Sequence, residues 1–88
     1  SVTRSYAALQ RTRELDLALG QLAAELRDAE TGQRGFLLTG KPVYLEPYHH
    51  AIGNLPAVRD RLWAQAAGRP ALGELMAKLD PLVDALAA

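Results

Sequence analysis

The stretch Asp28–Pro42, DAETGQRGFLLTGKP, decides how the chain is read, because it holds Gly32, Gly35 and Gly40 in a sequence that otherwise reads as amphipathic helix. A glycine inside a helix costs roughly 0.5–1 kcal/mol relative to alanine. Either the stretch is a loop, or a helix gives up stability there for something only glycine provides.

The pattern upstream argues for a helix. No proline precedes Pro42. From Leu15, apolar or small residues recur as Leu19, Leu22, Leu26 and Ala29, then Gln33 and Phe36, at steps alternating four and three, which is the period of a helix seam. Thr12, Ala8 and Ser5 extend that seam weakly backward, while Val2, Tyr6 and Leu9 begin an offset stripe. The reading is one long helix over about 2–39, closed by Gly40 as a left-handed C-terminal residue with Pro42 beyond it. A second helix over about 42–67 carries Leu45, Tyr48, Ile52, Leu55, Val58, Leu62 and Ala66 at the same spacing. Gly68 ends it, and Pro70 opens a third over about 70–87 with Leu72, Leu75, Leu79, Leu82 and Leu86. Pro47 and Pro56 fall inside the second helix on this reading and predict a kink near Ile52–Pro56; Pro81 predicts a kinked third helix.

Two short connections imply antiparallel neighbours. At 1.5 Å per residue the first helix is about 57 Å long and the second about 39 Å. The second therefore reaches back only to about Arg13, and the first dozen residues project. The fold class is all-α: an antiparallel long-helix hairpin plus a third helix, of four-helix-bundle type, with the fourth helix missing or supplied by a dimer partner.

Composition narrows function. With 88 residues the chain makes a single domain, and at that size only about 60% of the unfolded surface is buried. No cysteine provides a disulfide or a zinc cluster, so assembly is the remaining route to further burial. Ten basic residues balance ten acidic ones. Residues 1–40 and 41–88 each hold five of either sign, so no basic face for nucleic acid or polybasic face for a membrane surface is present. No apolar run approaches the roughly 18 residues of a membrane span, and no signal peptide opens the chain. The character of both ends is that of a piece cut from something longer. No nucleophile–base set, phosphate-cradling loop or paired-carboxylate pocket is legible, so the expectation is no enzyme activity and no cofactor.

Residues 28–48 also carry a specific motif. Glu30, Thr31, Gly32, Arg34, Gly35, Phe36, Leu37, Leu38, Thr39 and Gly40, followed by Tyr44, Leu45, Pro47 and Tyr48, resemble the third subtype of the CHASE family of extracytoplasmic sensor domains. The resemblance implies an all-helical sensing module on the periplasmic or extracellular side of a bacterial inner membrane. Such a module lies between transmembrane helices at the N-terminus of a signalling receptor. The output domain implied is a histidine kinase first, or a cyclase or chemotaxis-type module. The partners implied are a second copy, the flanking membrane helices, and a small-molecule or protein ligand that the resemblance leaves unidentified. A ligand-free dimerisation or spacer module, and a free helical adaptor, are the alternatives. Lys41 departs from the motif, which has an acidic residue there, and weakens the expected start of the second helix.

Individual residues have competing readings. Glu30 and Arg34, four apart, form either an exposed pair or a partly buried one that fixes helix register. Gly32 and Gly35 serve close helix packing, a soft point or a ligand notch. Thr31 has a hydroxyl able to bond a preceding carbonyl. Tyr44 and Tyr48 are expected to pack on Phe36 and Leu37. His49 and His50 beside Glu46 invite a metal, but surface polarity is the preferred reading, and no metal site is expected. Trp63 is expected at the seam edge or a dimer contact, with an aromatic ligand wall as its second reading.

Overall fold

The computed structural model describes residues 2–87, with the side chain of Ala87 outside the description. Ser1 and Ala88, where flanking membrane helices are expected to join, lie outside it. Helix α1 runs Val2–Thr39, a 3-10 turn covers Pro42–Tyr44, α2 runs Leu45–Gln65 and α3 runs Pro70–Ala87. The molecule is a slab of 58 × 23 × 15 Å, its long axis set by the unbroken α1.

Local chemistry explains each boundary. Gly40 takes φ +69° and its N–H donates to the Phe36 carbonyl at 2.7 Å, closing α1. Thr39 Oγ1 donates to the Gly35 carbonyl at 2.7 Å and accepts the Lys41 N–H at 3.1 Å, so one hydroxyl serves both sides of the turn. The second helix does not begin as α-helix at Pro42. Tyr44 N–H bonds the Lys41 carbonyl at 3.1 Å, a three-residue step, and α-helical bonding starts only at Leu45. Lys41 makes no side-chain cap. The delayed start changes the role of Pro47, which falls in the first turn of α2, where its missing N–H would have had no helical acceptor anyway. Pro56 and Pro81 do lie within continuous helices. At the other turn Ala66 N–H bonds Trp63 O at 3.0 Å, Arg69 N–H bonds Ala66 O at 2.9 Å, and Gly68 takes φ +74°.

Helix α2 is the central element, packed against both α1 and α3. Its expected seam is the core: Leu55, Val58 and Leu62 are fully buried, with Ile52 and Ala51 beside them. Burying a side chain of that size contributes about 1.5–3 kcal/mol. One cluster joins Ala29, Ala51, Ile52, Leu55 and Val83; a second joins Ala18, Val58, Leu62 and Met76, and Leu22 and Leu79 touch both.

The seams of α1 and α3 match expectation in part: Leu15, Leu22 and Ala29 of α1 and Leu72 and Leu79 of α3 pack in the two clusters. The row of α1 that meets α2 is Glu14, Ala18, Gln21, Glu25, Ala29 and Gly32. Leu19 and Leu26 are each 39% exposed and Gln33 is exposed. In α3 the buried residues are Met76 and Val83, while Leu75, Leu82 and Leu86 stay exposed. Part of each leucine row lines a common groove between α1 and α3, formed by Leu22, Leu26, Leu79, Leu82, Val83, Ala85 and Leu86.

Candidate functional site

The motif residues meet at the closed end of the hairpin, where the C-terminal third of α1 lies against the 3-10 turn and the first turn of α2. Gly32 is buried, and a Cβ there would stand 2.7 Å from the Tyr44 carbonyl oxygen and 3.1 Å from the Tyr48 nitrogen. A Cβ on Gly35 would stand 2.8 Å from Tyr44 Cδ1. Of the three readings for these glycines, close packing is the one realised: the backbone of the turn occupies the space where side chains would be. Tyr48 extends from this contact into the core beside Ala51 and Ile52, and His49 meets its ring edge-on at a centroid distance of 5.4 Å. Leu45 is half-buried next to them.

Tyrosine packing departs from expectation. Tyr44 and Tyr48 lie on the two glycines, whereas Leu37 and Leu38 are 78% and 79% exposed and Phe36 is half-buried. A helix has only one face toward its neighbour, and Gly32 and Gly35 occupy it. The Glu30–Arg34 pair forms at 2.9 Å, but both side chains are 69% exposed, so the register-fixing reading fails and the pair contributes a few tenths of a kcal/mol. Thr31 is exposed; among the described residues the hydroxyl-to-carbonyl bond of that kind is made by Thr39 and by Thr12 onto Ala8, not by Thr31.

Beyond the closed end, a polar ladder crosses the hairpin. Asn54 Nδ2 donates to Glu25 Oε1 at 3.3 Å, Arg61 Nη2 donates to Gln21 Oε1, and Gln65 Nε2 donates to Glu14 Oε2 at 3.1 Å. Arg11 Nη2 reaches the Ala67 carbonyl at 3.1 Å, so the pairing extends to residue 11 and the projecting part is shorter than a dozen residues. Residues 2–10 are exposed throughout, with Val2, Tyr6 and Leu9 at 88%, 69% and 58%. On the other side of α2, Trp63 Nε1 donates to both oxygens of Asp80 at 3.1 and 2.9 Å, and Arg59 pairs with Asp84 at 2.8 Å. Trp63 is thus a cross-helix anchor to α3 and not a free aromatic wall.

The sequence reading missed the ladder and the Trp63–Asp80–Arg59 anchor. The signal was present, since Glu14, Gln21 and Glu25 fall at helical spacing with Ala18 and Ala29, but a search for apolar periodicity passes over polar members. His50 Nδ1 lies 3.4 Å from Asn54 Nδ2, at the margin of the ladder. Among the described residues no three His, Cys, Asp or Glu side chains gather as a metal ion requires. No described helix is long and apolar enough to cross a membrane.

No curated protein and no solved structure matches the chain. The family model described as the CHASE3 domain matches residues 5–87, nearly the whole sequence and the whole of the hairpin, the ladder and α3. CHASE3 domains are extracytoplasmic sensory domains of signalling receptors, and this chain belongs to the CHASE3 domain family.

Proposed function

We propose that this domain is the signal-input module of a bacterial transmembrane receptor, a sensor histidine kinase by preference, and that it passes its signal by displacement of α1 relative to α2. The observation that carries this reading is the asymmetry of α1. Its C-terminal third is keyed to the turn through Gly32 and Gly35, while residues 2–10 extend past the hairpin with an uncovered apolar stripe. A packed end and a projecting end on one continuous helix make a lever, and small shifts of packed helices are an ordinary way for such modules to switch. On this reading the domain regulates and does not catalyse. Single cysteines placed along residues 2–12 are the test, in a chain that has no native cysteine. Crosslinks between receptor copies should change their pattern between signalling-on and signalling-off states; an identical pattern in both states sinks the displacement mechanism.

The groove between α1 and α3 supports a second element of the reading. Leucines at steps of three and four, Leu22 and Leu26 on one wall and Leu79, Leu82 and Leu86 on the other, are the complement of an amphipathic helix. We assign this face to the fourth helix of the bundle, whether it follows in the parent chain or comes from a second copy in a homodimer. The same groove is what favours the rival reading, a ligand-free dimerisation module. Sedimentation of the chain alone separates the two sources of the helix: a dimer points to the second copy, a monomer to the parent chain.

A further inference from the structure

The cleft between α1 and the C-terminal end of α2 carries charged side chains, which the leucine groove lacks. It holds about 250 Å³ and is lined by Glu14, Leu17, Ala18, Arg61, Ala64 and Gln65.

Three features of the cleft point to a ligand. Glu14 and Arg61 carry opposite charges to the same cleft, yet neither forms an ion pair. Each is held by a neutral amide, Glu14 by Gln65 Nε2 at 3.1 Å and Arg61 by Gln21 Oε1. Glu14 is level with Gln65, one turn beyond Arg61 on α2, and Gln21 lies two turns beyond Glu14 on α1, so the two charges stand at different heights of the cleft. The second feature is Gln65 Oε1, which is buried and has no hydrogen-bond partner. Buried acceptors are nearly always satisfied, so an idle one marks a place for a donor from outside the chain, water included. The third is Leu17, 69% exposed at the edge of the cleft, which with Ala18 and Ala64 offers apolar surface between the charges.

We propose that this cleft binds a small α-amino acid with an apolar side chain, as its zwitterion. The ammonium sits against the Glu14 carboxylate and Gln65 Oε1, the carboxylate lies on the Arg61 guanidinium, and the side chain covers Leu17, Ala18 and Ala64. Entry of the ammonium requires the Gln65 amide to turn over. The turn replaces the neutral Nε2 donor at Glu14 with a charged one, and charge-assisted bonds are the stronger kind; Nε2 moves into the buried place that Oε1 leaves. Arg61 keeps donors to spare beyond the one on Gln21. The inference rests on the sensory reading only for its purpose; the chemistry of the cleft stands without it.

L-Valine, which joins an ammonium and a carboxylate to a short branched apolar side chain, is the probe. The test is thermal unfolding of the 88-residue chain with L-valine, valinamide, which lacks the carboxylate, and isovalerate, which lacks the ammonium. A ligand that binds the native form raises the unfolding temperature with concentration. L-Valine should do so, and valinamide and isovalerate should bind about tenfold more weakly or worse. Glu14→Gln and Arg61→Gln should each weaken valine binding by about tenfold or more with the helical circular dichroism unchanged, while Arg27→Gln, outside the cleft, should not. No shift with valine, equal shifts with all three compounds, or a shift indifferent to both cleft variants overturns the site. A receptor that answers other stimuli while the chain ignores valine removes this site and leaves signal input standing. A chain that binds valine in a receptor whose α1 crosslinks never change keeps the site and removes the displacement mechanism.

Discussion

The closed and open ends of the hairpin are made from one helix on opposite principles. At the closed end α1 gives up side chains, so that the Tyr44 carbonyl and the Tyr48 backbone lie directly on Gly32. At the open end it keeps them, and Val2, Tyr6 and Leu9 stand uncovered. Between the two lies Gly20, where a Cβ would meet nothing within 4 Å. The difference teaches that glycine in this helix has no single meaning. At Gly32 the missing atom is a structural requirement set by a partner backbone, and at Gly20 it is, within this chain, a plain loss of helix propensity.

Substitution by alanine breaks the comparison most directly. Gly32→Ala forces a Cβ into a backbone carbonyl and amide that cannot rotate away, so the turn itself must move; overpacking of that kind costs typically about 1–3 kcal/mol. For a domain of this size that lowers the midpoint of thermal unfolding by about 4–8 °C per kcal/mol. Gly35→Ala should cost less, because the atoms it meets belong to the Tyr44 side chain, which is 42% exposed and able to swing outward. If Gly32→Ala unfolds at the wild-type temperature or above, the close approach does not hold the hairpin, and the keyed end of the proposed lever is lost with it.

Gly20→Ala should move stability the other way and by less. The site is open, the position is mid-helix, and alanine both improves helix propensity and narrows the unfolded ensemble, a gain of about 0.5–1 kcal/mol. Gly53 is also mid-helix with no neighbour within 4 Å, and serves as an independent repeat in α2. A loss of stability at Gly20 in the isolated chain would show that a second copy, or some other neighbour, already lies on that part of α1.

Much of this architecture was legible before any coordinates. The long helix, its end at Gly40 and the restart at Pro70 follow from spacing, one left-handed glycine and a first-turn proline. The core row of α2 reads directly because all its central members are apolar. The rows of α1 and α3 were read only in part, for a physical reason. A helix in a bundle has two neighbours, and the most hydrophobic row of α1 divides between them: Leu15 and Leu22 pack against the core clusters on α2, while Leu22 and Leu26 line the groove. The row facing α2 is small and polar, because close approach needs Ala18, Ala29 and Gly32, and the ladder needs Glu14, Gln21 and Glu25. Hydrophobicity therefore finds the apolar members of the α2 contact and passes over the polar ones. The glycine motif was visible as a pattern, but its partner, the backbone at Tyr44–Tyr48, depends on the 3-10 turn, and no local rule distinguished that turn from the first turn of an α-helix.

The smallest expected effect tests whether motif membership and structural importance are the same thing. Arg34 belongs to the motif and so does Gly32, yet one is an exposed member of an i,i+4 pair and the other is wedged under a backbone. Arg34→Ala removes a pair that solvent screens on both sides, so the loss should be about 0.2–0.5 kcal/mol and should shrink further as salt is raised. Chemical denaturation of the two variants at low and high ionic strength gives the contrast: a salt-independent deficit for Gly32→Ala and a small, salt-erased one for Arg34→Ala. Should Arg34→Ala instead cost as much as Gly32→Ala, its guanidinium is engaged by something beyond Glu30, and the reason for arginine at that position lies outside the single chain.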